Sequence, residues 1–117
     1  MSPSNEPLRS TVTAYVEECF ARETSPRVSE LAQRLGISRA NLTSRFEAEL
    51  RESPSSCLKR MQFERAMFLM RTTSLSLTRI AYMCGFGTRR TFFRAFQRAY
   101  GCSPGSVRTS EYAELAD

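Results

Sequence analysis

Residues 80–96 read IAYMCGFGTRRTFFRAF, and this stretch decides the fold. Its fixed points are Ala81, Gly85, Phe86, Thr88, Phe92 and Phe96, an order that predicts a short helix, a tight turn and a second helix anchored by its aromatic side chains. Residues 31–46, LAQRLGISRANLTSRF, carry the same order, with Ala32, Gly36, Ile37, Ser38, Leu42 and Phe46 in the corresponding places. Both copies run on to a Ser-Pro pair, Ser53-Pro54 and Ser103-Pro104. Two helix-turn-helix units on one short chain predict a monomer that reaches two major grooves of double-stranded DNA without a partner.

Periodicity extends the helical reading in both directions, and the sum is an all-α fold of seven helices in which two helix-turn-helix subdomains are joined by a long central helix. Val12, Tyr15, Val16, Cys19 and Phe20 predict an amphipathic first helix over about residues 8–22, stopped by Thr24, Ser25 and Pro26. Ser29 is expected to cap a short helix through Leu35, Gly36 to supply the left-handed backbone of the turn, and Ser38 to cap a helix over 39–50. Ser53-Pro54 opens a long helix to about Arg71, with Leu58, Met61, Phe63, Ala66, Met67, Leu69 and Met70 as a broad apolar face. At ~1.5 Å per residue it spans roughly 27 Å, a rigid spacer between the units. Ser76 begins a helix through about Cys84, another follows the Gly85-Phe86-Gly87 turn from Arg89 to Tyr100, and Ser103-Pro104 starts a last short one. The expected divisions are 8–52 for the first subdomain, 53–73 for the linker helix, 74–108 for the second subdomain and 109–117 for a frayed acidic tail.

The chain has 117 residues, 41% of them hydrophobic, enough for one domain with a real core or two very small ones sharing an element. No apolar run approaches a membrane span, and the polar start from Met1 to Pro7 lacks a basic-then-apolar signal, so a cytoplasmic protein is the expectation. Net charge is +5, unevenly spread. Residues 1–27 hold three Arg against four Glu and residues 28–53 four Arg against four Glu, whereas residues 76–108 carry Arg79, Arg89, Arg90, Arg94, Arg98 and Arg108 against no acid. Of the 17 cationic residues only Lys59 is not Arg, the residue that grips phosphates and guanine edges bidentately. Cys19, Cys57, Cys84 and Cys102 are isolated and His is absent, which argues against zinc and for buried thiols. No cofactor is implied.

At 100° per residue, Phe92, Ala95, Phe96 and Ala99 share one side of the second unit's recognition helix and are the expected anchors. The opposite side shows Arg90, Arg94, Gln97 and Arg98, with Thr91 and Phe93 at its margins and Arg89 beside Arg90 in the first turn. Arg89 and Arg90 are placed to bond guanine O6 and N7, with phosphate contact as the competing role, Arg94 either a base or a phosphate, and Arg98 a phosphate. Phe93 either touches a thymine methyl or packs on a neighbouring helix. In the first unit Leu42 and Phe46 anchor, while Ala40, Thr43 and Ser44, with Arg39, Asn41 and Arg45 beside them, form a shorter and less charged reading surface, and Glu47 opposes phosphate unless it meets a cytosine amino group or an Arg. Affinity is therefore expected to be weighted to the second unit.

Taken together, Ile80-Ala81, Gly85-Phe86, Phe92, Arg94, Phe96, Gly101, Ser103-Pro104 and Arg108 resemble the C-terminal signature of the AraC/XylS family of bacterial transcription regulators. The resemblance covers about residues 8–108. It implies seven helices with two helix-turn-helix motifs, binding to promoter DNA, and activation through contact with RNA polymerase. It also implies DNA contacts at Ala40, Thr43 and Ser44 and at Arg89, Arg90, Thr91 and Arg94. Three positions depart from the family pattern: Arg51 where Gly is common, Gln62 where the linker helix often carries Arg, and Gln97 where the second recognition helix often carries Lys. The last two are expected to remove backbone contacts. The ligand-binding domain of most members is not in this sequence, which fits a short stand-alone regulator or the C-terminal piece of a longer one.

A competing class is a basic helical adaptor whose main partner is a protein such as RNA polymerase; preference for one DNA sequence discriminates the two. With no His, metal-ligand cluster, phosphate-cradling Gly loop or acid pair, an enzyme is not expected.

Overall fold

The computed structural model describes residues 5–108; the acidic tail and residues 1–4 lie outside it. Its helices are α1 (Asn5–Arg22), α2 (Val28–Leu35), α3 (Arg39–Leu50), α4 (Pro54–Thr72), α5 (Leu77–Met83), α6 (Arg89–Tyr100) and α7 (residues 104–108), and no strand occurs among the described residues. Hydroxyl caps set most of the starts. Ser38, Ser53, Ser76, Thr88 and Ser103 each accept the backbone N–H three residues on, at 3.0 to 3.2 Å, satisfying one of the donors a helix leaves unpaired at its start.

Helix α2 starts differently and corrects the expectation at Ser29. Arg27 is its N-cap, no side chain caps it, and Ser29 lies inside the first turn. Tyr15 of α1 supplies the missing bonds: its phenol oxygen accepts the Arg27 N–H at 2.7 Å and donates to the Glu30 carboxylate at 2.6 Å. Burial, then the Glu30 bond, push the Tyr15 pKa up, so the phenol keeps its proton as donor.

The two sequence copies close their turns alike. Ile37 N–H reaches Ala32 O at 3.1 Å and Phe86 N–H reaches Ala81 O at 2.9 Å, with Gly36 and Gly85 left-handed at φ 71° and 81°. The second turn holds one more residue, Gly87, before its capping Thr88. Arg51 keeps the left-handed closure of α3 without a glycine, at φ 61°.

Two hydrophobic cores result. The first gathers Leu8, Val12, Val16, Leu31, Leu42 and Phe46 around Cys57 and Leu58 of α4; the second gathers Ile80, Phe86, Phe92 and Phe96 around Phe63, Ala66 and Met70 of the same helix. Phe20 touches both. The bilobed form shows in the radius of gyration, 15.8 Å, where a single ball of a hundred residues has about 13 Å. Along α4 the expected core residues Met61 and Met67 are only half-buried. Gln62 is buried instead, at 4% exposure, and its Nε2 donates to the Cys84 carbonyl at 2.9 Å. Its polar end satisfies the closing turn of α5 from the interior. Cys19, Cys57 and Cys84 are buried, and Cys102, against expectation, is half-buried. Burial pushes the Cys57 and Cys84 thiols up to about 11 and about 12, leaving them protonated at neutral pH. No helix among the described residues is long and apolar enough to cross a membrane.

Candidate nucleic-acid interface

Helix α6 is oriented by its aromatic side chains. Phe92 and Phe96, at 0% and 1% exposure, pack with Phe86, Phe63 and Tyr100, the ring centroids of successive pairs lying 4.7 to 5.9 Å apart. The anchoring arc differs from the expected one. Ala95, half-buried, packs on the second core as expected, but Ala99 is exposed; in the last turn Tyr100, itself 45% exposed, lays one side of its ring against Phe63 and Phe96. Arg90, Thr91, Arg94, Gln97 and Arg98 are all exposed on the rest of the helix. The Thr88 hydroxyl accepts the Thr91 N–H and donates to the Thr91 hydroxyl, both at 3.0 Å, fixing the first turn. Phe93 is half-buried against Phe92, and the Arg89 guanidinium lies 4.1 Å from the centroid of its ring. Packing is thus the observed role of Phe93, and Arg89 is steered by it.

Helix α3 presents the corresponding surface of the first unit. Leu42 and Phe46 are fully buried, and Arg39, Ala40, Asn41, Thr43, Ser44 and Glu47 are exposed. Arg45 turns back along its own helix, its Nε donating to Glu49 at 3.3 Å. The exposed surface of α3 therefore carries less free positive charge than the sequence reading placed there.

Pairing decides where positive charge is free. Arg34 is bonded to Glu18, Arg60 to Glu52 and Glu64, Arg65 to Glu17, and Arg79 to Glu23. Arg108 points inward, donating to the carbonyls of Met70, Leu75 and Thr73 at 3.3, 2.6 and 2.8 Å, where it closes the end of α4. Arg79 and Arg108 therefore leave the basic footprint that the sequence assigned to residues 76–108. Among the described residues, Arg90, Arg94 and Arg98 make no ion pair. Two cations, Arg89 and Arg90, open α6 with no acid in its first turn, and Arg39 opens α3 in the same way. A helix N-terminus disfavours cations by about 0.3–1 kcal/mol each, a cost that an anionic ligand removes.

Periodicity missed Tyr15, Gln62 and Arg108 as positioning residues because their polar ends bond to backbone distant in sequence. The Thr88 cap was within reach, since Thr88 takes the place of Ser38 in the repeat.

Comparison with known proteins bears on the same elements. Residues 31–110 match a helix-turn-helix domain family. Over 82 residues, 70% of this chain and 21% of the other, the chain is 33% identical to the xylose operon regulatory protein of Escherichia coli strain K12. It is 30% identical over 112 residues, 96% of this chain and 40% of the other, to the transcriptional activator RhaS of Enterobacter sp. strain 638. The chain thus spans well under half the length of these regulators. The DNA-binding domain of the global transcriptional factor AdpA, solved in complex with a target DNA, superimposes with a TM-score of 0.75 at 25% identity, over 88% of this chain and 94% of that one.

Proposed function

The chain belongs to the AraC/XylS family of transcription regulators, and from that premise we propose that it reads double-stranded promoter DNA with two heads, α3 and α6, in successive major grooves. Residues 8–52 serve as the first reading unit, 53–73 as the linker and 74–108 as the second unit. The observation that carries this reading is the exposed Arg90, Arg94 and Arg98 on one side of α6, none of them in an ion pair, whereas Arg34, Arg45, Arg60, Arg65 and Arg79 each pair with a carboxylate. Arg90 and Arg94 contact base edges or the adjoining phosphates, Arg98 holds phosphate, and Gln97 and Thr91 lie along the same groove. In α3, Ala40, Thr43 and Ser44 face the bases, with Arg39 and Asn41 at the entry and Arg45 behind them.

The relative named as an activator supports positive control of transcription. RNA polymerase as the protein partner and a monomer as the DNA-bound form belong to the same proposal and rest on the two reading units of the single chain. A salt titration tests the DNA reading. Affinity for a duplex of about 25 base pairs falls steeply with salt, and the triple variant Arg90→Ala, Arg94→Ala, Arg98→Ala lowers the log–log slope by about 0.9 for each phosphate it no longer neutralises. A slope unchanged by the triple variant removes α6 from the interface.

A further inference from the structure

We infer that the loop after α1 is a clasp that fixes the distance and phase between the two reading helices, so that residues 23–25 and Gly85 determine the box spacing the protein accepts. The inference rests on the two-headed reading above.

Helix α4 joins the units, but the second contact between them lies elsewhere. The last turn of α1 closes with Glu23 left-handed at φ 57°, and the Thr24 N–H bonded to Cys19 O at 2.9 Å. This directs Thr24 and Ser25 onto the turn between α5 and α6. There the Ser25 hydroxyl donates to the Gly85 carbonyl. Gly85 is buried, and a β-carbon on it would overlap the Thr24 carbonyl oxygen, lying 2.9 Å from Thr24 C and 3.1 Å from Ser25 Cα. Backbone therefore lies on backbone at the hinge of the second helix-turn-helix. Around this contact, Arg79 of α5 grips Glu23 with both guanidinium nitrogens at 3.0 and 2.7 Å, and Arg65 of α4 holds Glu17 of α1 at 2.6 Å. Phe20, under the Arg65 guanidinium, packs into both cores. Each exposed ion pair alone contributes little, but main chain packed directly on main chain, with the exposed Thr24 and Ser25 lying on the buried Gly85, resists sliding.

The consequence falls on DNA. One inserted base pair moves the second box by about 3.4 Å and about a tenth of a turn. A clasped pair of heads follows only by bending or twisting the duplex, which costs affinity.

The test uses the full chain and duplexes carrying its two selected boxes, with the spacer changed by −1, +1 and +2 base pairs. Gly85→Ala pries the loop off, whereas Gly87→Ala carries the same backbone strain at φ 89° with nothing within 4 Å of its β-carbon, so it controls for strain. Glu23→Ala with Ser25→Ala loosens the clasp from the exposed side and needs no change in the turn. Wild type and Gly87→Ala are expected to lose about tenfold or more at every altered spacer. Gly85→Ala and the double variant are expected to lose only about two- to threefold there relative to their own affinity at the selected spacer, with binding of the double variant to either single box unchanged. If Gly85→Ala unfolds the second unit, the double variant decides. A double variant with the wild-type spacer penalty overturns the clasp. A wild type with no two-box preference overturns the two-headed reading itself, a different result.

Discussion

At the scale of the residue, the exposed arginines of α6 divide by position on the helix. Arg90 stands in the first turn opposite Phe92, and Arg98 two turns on, where a helix lying in a groove has moved toward the backbone. Replacing Arg90 by Ala is expected to cost about 1–3 kcal/mol and to flatten preference at one or two base pairs, while Arg98→Ala weakens all sequences alike and reduces the salt slope by about 1. Competition with single-base variants of the site measures both, and equal loss on every sequence for Arg90→Ala contradicts its role as base reader. The exposed arginines, threonines and serines of both recognition helices were legible in the sequence because their spacing from Phe92 and Leu42 determines their side. The pairing of Arg79 and Arg108 was not, because Glu23, 56 residues from Arg79, and the carbonyls that Arg108 bonds leave no periodic trace; that of Arg45 with Glu49, four residues on in one helix, was within reach of helical spacing.

Elements were the most legible level. Helix starts at residues 39, 54, 77 and 89 follow from a hydroxyl one position earlier, and the turns from Gly36 and Gly85. Where a bond from another helix replaced the local signal, as Tyr15 does at α2, the local reading erred. The end of α3 supplies a stability prediction. Arg51 is left-handed at φ 61°, a conformation that costs a side-chain-bearing residue about 1 kcal/mol and glycine almost nothing. Glycine's larger unfolded-state entropy offsets part of that gain, so Arg51→Gly is expected to raise stability by about 0.5 kcal/mol. Chemical denaturation reads this directly, and a loss of stability shows that the Arg51 side chain does more for the fold than its backbone costs.

Over the whole molecule, two small cores share α4 and Phe20, and the arrangement holds two reading helices in one body. The repeat predicted both lobes, since each needs its own anchors. Their mutual placement was illegible because the Ser25 to Gly85 contact joins residues 60 apart whose sequence shows only a turn at each end. The same arrangement makes the DNA site asymmetric: α3 offers Ala40 and Ser44 where α6 offers Arg90 and Arg94. The measurement that bears on this most directly is selection of bound duplexes from a random DNA pool at low and at physiological salt. Two unlike boxes about one helical turn apart, recovered at both salts, are the expected result; recovery of no motif at either salt would contradict the two-headed reader.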